Sequence, residues 1–178
     1  MENNQKTLKD SIEFKGVGLH TGVKVCMVIN PAKENHGIKF QRVDLPEAPI
    51  IPADIDLVKD TKRSTTLELN NVKIITVEHL MSALYALGVN NVLIKMNSSE
   101  VPILDGSSKL FVEGIQKVGL KNQKVPLKFI HLPKPIHYKD AESGSEILFV
   151  PANNFILSVV LDYQNPVLGT QYAEIRNL

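Results

Sequence analysis

The stretch KIITVEHLMSALYALG, residues 73–88, changes period in its middle. Its first residues are apolar and β-branched, as a strand requires. Val77, Leu80, Met81, Leu84 and Leu87 then recur at helical spacing, and Gly88 stops the pattern. A helix over residues 77–87 therefore follows a strand directly, and its apolar stripe needs a sheet to cover. With Thr76 as N-cap, Glu78 and His79 occupy the second and third helical positions, beside free N–H groups and the positive end of the helix dipole.

The sheet is legible on either side. Residues 7–19, 23–29 and 37–43 are rich in β-branched and aromatic residues and are separated by Gly, Pro or Asn. Residues 53–58, 64–69 and 72–75 continue the series, the last two joined by Asn70 and Asn71, which tolerate the left-handed turn of a tight hairpin. A strand over 91–96 and a helix over 108–118, with Phe111, Ile115 and Val118 on one face and Gly119 behind them, complete a first domain over residues 1–120. The fold class is α+β, a sheet packed with two helices.

Residues 121–126 are polar and read as a linker. Beyond it, 127–132, 146–150, 155–163 and 172–175 are again strand-like, so residues 127–178 are expected to start a second α+β domain that resembles a repeat of the first. No helical pattern follows to cover that sheet, which implies an incomplete domain or a partner chain laid over it.

Composition bounds the function. A chain of 178 residues that is 43% hydrophobic and 22% charged, with a net charge of +1, can bury a core and carries no basic stripe for nucleic acid. The polar N-terminus and short apolar runs give neither a leader nor a membrane span, so a cytoplasmic protein is expected. The one cysteine, Cys26, lies in an apolar strand and is expected to pack as a small hydrophobe. No serine lies in a Gly-x-Ser-x-Gly turn, which argues against a nucleophile-type hydrolase.

Glu78 and His79 carry two readings. A Glu in a first turn opposes the dipole and needs no further role. Alternatively, an uncharged imidazole offers a lone pair to a metal, while a carboxylate beside it takes a proton from water. The pair is not the zincin helix motif, since Ile75 and Ala83 stand four residues either side of His79. GVGLHTG, residues 16–22, sets three glycines around His20 and suits either a turn or a loop that presents His20 to a substrate. VPILDGS, residues 101–107, ends in an Asp-Gly turn with Ser107 placed to cap the second helix.

GVGLHTG, DTKRSTT (60–66), TVEHLMSAL (76–84) and EVPILDGSS (100–108), in this order and spacing, resemble the UDP-3-O-acyl-N-acetylglucosamine deacetylases. The resemblance implies a zinc-dependent amidase of lipid A biosynthesis that releases acetate from an acylated UDP-sugar. It makes His79 one of three zinc ligands and Glu78 the general base. It places His20 near the active site and Asp162 and Tyr163 near the uridine; Ser64 falls where many members carry Cys and is assigned no role. The family's other two ligands come from a His-x-x-x-Asp pair absent from these 178 residues, so the chain alone is expected to be inactive. In some bacteria the deacetylase is joined to a hydroxyacyl carrier-protein dehydratase. The alternative is a non-enzymatic α+β domain completed by another chain.

Overall fold

A computed structural model of the protein describes residues 4–176. The chain forms two compact units, residues 1–127 and 128–178. In chain order the first holds strands β1 (Asn4–Leu8), β2 (Ile12–Val17), β3 (Lys24–Pro31), β4 (Ile38–Arg42) and β5 (Ile50–Pro52). There follow a short 3-10 turn (Ile55–Leu57), β6 (Val58–Asp60), β7 (Thr66–Leu69), β8 (Val72–Ile74), α1 (Glu78–Ala86), β9 (Val92–Met96), α2 (Lys109–Val118) and β10 (Leu120–Pro126). The fold is α+β, as its sequence pattern requires.

The central sheet runs β2-β3-β9-β4-β5, with β9 antiparallel to β3 and parallel to β4. Alternation along β3 buries Val25, Met27 and Ile29, and along β9 it buries Val92, Ile94 and Met96. These side chains share one core with Leu80, Ala83 and Leu84 of α1 and Phe111 and Ile115 of α2. The same alternation turns Cys26 away from that core. It is half-exposed, and its thiol donates to the Glu13 carboxylate at 3.1 Å, contrary to the expectation of a buried hydrophobe. The hydrogen bond to Glu13 pushes the Cys26 thiol pKa up, with burial second.

Other differences have local causes. Residues 121–126, expected as a linker, are β10, which pairs antiparallel with β1. Most of its side chains face solvent, so it lacks an apolar signature; Gln123 alone is buried, hydrogen-bonded to Asn91 and to the Ala32 carbonyl. Residues 53–58 are not one strand, because the Asp54 carboxylate accepts from the Asp56 N–H and caps the 3-10 turn. The run over residues 7–19 breaks at 9–11 into β1 and β2. Asn70 and Asn71 both take positive φ, 50° and 64°, in the β7–β8 hairpin.

The second unit holds two antiparallel hairpins, β11 (Ile136–Lys139) with β12 (Glu146–Phe149) and β13 (Ile156–Asp162) with β14 (Thr170–Arg176). Residues 127–132 form no strand. β13 and β14 pair directly, whereas β3 and β4 of the first unit are separated by β9.

Gly114 of α2 lies close against the side chains of β2. A Cβ there would stand 2.7 Å from the Phe14 ring and 2.8 Å from Ile12 Cδ1, and Phe14 is itself locked edge-on to Phe111 with ring centroids 5.1 Å apart. Helix propensity alone favours alanine by about 1 kcal/mol, whereas overpacking a tight contact costs about 1–3 kcal/mol. Gly114→Ala is expected to lower the urea midpoint; a raised midpoint would mean that α2 is not seated this closely.

Candidate functional site at the start of α1

α1 begins without a side-chain cap. Its N-cap is Val77, in helical conformation, so Glu78 and His79 are the first and second helical residues rather than the second and third. Thr76 does not cap the helix as expected. It is buried, holds φ at +61°, and its hydroxyl donates to Glu100 Oε1 at 2.9 Å. Positive φ is costly for a β-branched residue, so surrounding bonds must impose it.

The Glu78 carboxylate does not bond to its own helix either. Its Oε2 accepts the Thr65 N–H at 2.9 Å, and the Val77 N–H reaches the Thr65 carbonyl at 3.4 Å. These two bonds fasten the segment 60–66 to the first turn of α1. On the other side, the Ser108 hydroxyl donates to the His79 carbonyl at 2.9 Å and so ties the start of α2 to the same turn. Ser107, expected as the cap of α2, does accept the Lys109 N–H at 3.1 Å, although the N-cap position itself is Ser108.

The remaining two segments meet at Glu100, which is 0% exposed. Its Oε1 accepts the His20 N–H at 3.0 Å and its Oε2 accepts the Thr21 N–H at 2.8 Å. Backbone bonds run alongside: Ile75 N–H to the Ser99 carbonyl, Val101 N–H to the Ile75 carbonyl, and Ile103 N–H to the Val17 carbonyl. Burial pushes the Glu100 carboxyl up, but the N–H groups and hydroxyls aimed at it prevail and hold it below the ordinary carboxylate value.

All four segments singled out in the sequence thus converge on one helix start. His20 is exposed there, its backbone held by the same Glu100 oxygen that holds Thr76, and Glu78 and His79 are half-buried. Asp162 and Tyr163 lie in the second unit, at the end of β13. Asp162 accepts the Thr170 hydroxyl at 2.8 Å, and the Tyr163 N–H reaches the Gly169 carbonyl. Ser64 is half-buried beside Thr65. Glu100 was missed as a site residue because its segment reads as a turn; the usable signal was a lone carboxylate set directly before the apolar run Val101–Pro102–Ile103.

The start of α1 offers one imidazole and one carboxylate, those of His79 and Glu78. Among the described residues, no three His, Cys, Asp or Glu side chains gather to hold a metal ion. Nor is any helix among them long and apolar enough to cross a membrane.

The site is therefore of the kind in which glycine- and hydroxyl-rich loops lock a Glu–His pair at a helix N-terminus. Residues 5–177 match the family described as UDP-3-O-acyl N-acetylglycosamine deacetylase, and the chain belongs to that family. The bifunctional enzyme LpxC/FabZ of Bacteroides thetaiotaomicron is 44% identical over 174 residues, 98% of this chain and 38% of its own length. The UDP-3-O-acyl-N-acetylglucosamine deacetylase of Teredinibacter turnerae is 47% identical over 163 residues, covering 92% of this chain and 53% of the relative. For that of Methylococcus capsulatus the figures are 44% over 173 residues, 96% and 56%. The chain thus spans 38 to 56% of the length of these relatives.

Two outcomes follow from this geometry. Glu78→Gln keeps an acceptor for the Thr65 N–H while Glu78→Ala removes it, so chemical denaturation should find the alanine variant less stable than the glutamine one by about 1 kcal/mol. Because the Glu100 carboxyl is lowered in the folded state, its stabilisation is complete above the unfolded carboxylate pKa and is lost as pH falls through the native value. An acid titration of stability should therefore lose this contribution only below about pH 4.3, and Glu100→Gln should flatten that limb.

Proposed function

We propose that the chain carries part of the active site of a zinc-dependent deacetylase acting on UDP-3-O-acyl-N-acetylglucosamine in lipid A biosynthesis. The observation that supports this reading most is the convergence of the four family-like segments on the turn that bears Glu78 and His79. Membership of the family and the named activity of the relatives point the same way.

In this reading His79 is one zinc ligand, acting with ligands beyond those grouped among the described residues. Zinc, when bound, supplies a Lewis acid that polarises the acetyl carbonyl and makes water more acidic. Glu78 is the general base: the Thr65 N–H engages Oε2 and leaves Oε1 to accept a proton from the attacking water. The C–N bond then breaks as the nitrogen gains a proton, giving acetate and a free amine. His20 faces the substrate, while Asp162 and Tyr163 receive the uridine, the tyrosine ring stacking on the base. The reaction is assigned to the cytoplasm. The Bacteroides thetaiotaomicron and Porphyromonas gingivalis relatives, both named bifunctional LpxC/FabZ, support a hydroxyacyl carrier-protein dehydratase joined to or associated with the deacetylase.

Zinc content and turnover of the UDP-sugar test the assignment together in the intact polypeptide. His79→Ala should weaken zinc binding, whereas Glu78→Gln should retain zinc and lower turnover by about 10²- to 10⁴-fold. Equal loss of folding in both variants with zinc affinity unmoved would return the pair to a purely structural role, and a partner-binding domain would become the better reading.

A further inference from the structure

Glu100 is a fully buried carboxylate for which the hydrolysis described above has no use. Among the described residues, no cation forms an ion pair with it. Its charge is held by the N–H groups of His20 and Thr21 and by the Thr76 hydroxyl, groups from two separate segments of chain. We propose that Glu100 is the positioning residue of the site, its carboxylate clamping the His20 loop to the start of α1 so that His20 stays in register with Glu78 and His79. This rests on the reading of His20 as a substrate-facing group.

Three features make the clamp specific. Oε1 is shared, accepting both the His20 N–H and the Thr76 hydroxyl, so His20 and the residue two before Glu78 are separated by a single oxygen atom. Gly18 is moulded to the carboxylate: a Cβ there would fall well inside contact with both the Glu100 carboxylate and the Thr21 hydroxyl, so only glycine lets the loop close over it. Apart from the Ile103 N–H bond to the Val17 carbonyl at its base, the loop is closed on itself, by Gly18 N–H to the Val23 carbonyl and Gly22 N–H to the Gly18 carbonyl, bonds that shape the turn without aiming His20. Thr76, in turn, has positive φ and bonds the same carboxylate through its hydroxyl.

The test combines amide exchange with a double-mutant cycle in the intact polypeptide. Glu100→Gln preserves volume but turns one acceptor into a donor facing an N–H group. It should speed exchange of the His20 and Thr21 amides about 10- to 100-fold while leaving the β3 and β9 amides unchanged. Should that variant unfold, Thr76→Val, which keeps the branched shape and loses only the hydroxyl, should still loosen His20, and Thr76→Ser should not. In turnover, Glu100→Gln should cost about 10- to 100-fold through kcat and add nothing further on a His20→Ala background. Unchanged exchange at His20 and Thr21 in both Glu100→Gln and Thr76→Val would overturn the clamp itself. Losses that multiply in the double variant would overturn its action through His20. A silent His20→Ala variant would remove the substrate-facing reading, and the positioning role with it, even where exchange shows the loop released.

Discussion

The first unit holds the Glu100 carboxylate where solvent cannot reach it, and among the described residues no cation pairs with it. An ionised carboxylate in a dry interior is tolerated only when donors replace its hydration. Glu100 obtains them from segments far apart in sequence, so the loop at 18–22, the strand-to-helix junction at 75–77 and the segment at 99–101 must assemble together. The contrast with Arg42 is instructive. That buried cation is neutralised by Asp44, two residues on, at 2.7 Å, and also donates to the Lys73 carbonyl of β8.

A second polar knot serves the opposite edge. The Asn91 side chain donates to Gln5 and Gln123 and accepts the Gly37 N–H, while the Thr7 hydroxyl donates to the Asn91 carbonyl at 2.6 Å. This network joins the β1–β10 ribbon to the start of β9, and its buried amides satisfy one another. Because β9 lies between β3 and β4, both knots act on the central strand's flanks: the amide cluster at its beginning, the Glu100 clamp just past its end.

Elements whose own side chains carry the pattern were legible: both helices, the Asn70–Asn71 hairpin, and strands such as β3 and β9 with one buried face. β10 was not, because its identity comes from pairing with β1 and its outward residues are Lys121, Asn122 and Lys124. Thr76 looked like a cap since Ser and Thr usually are; its hydroxyl goes instead to a carboxylate 24 residues away, which no local rule can foresee. The Glu–His pair was visible as a pair, but its setting depends on Thr65 and Ser108, contacts made only once the chain has folded.

That setting bears on how Glu78 is to be understood. A glutamate that merely decorates a helix N-terminus leaves its carboxylate to solvent or to the N–H groups of its own first turn. Glu78 does neither, since one oxygen reaches out of the helix to the Thr65 N–H. The bond fixes the side-chain rotamer and distinguishes the two oxygens, one committed to the protein and one available. Losing side-chain freedom at a half-buried position costs free energy that a surface cap would not require, and the first turn already has α1's packing to stabilise it through Leu80 and Leu84. In the proposed reaction, a carboxylate held through one oxygen keeps the other for proton transfer. The bond to Thr65 therefore does what helix capping alone would not: it holds the Glu78 carboxylate outside its own helix turn.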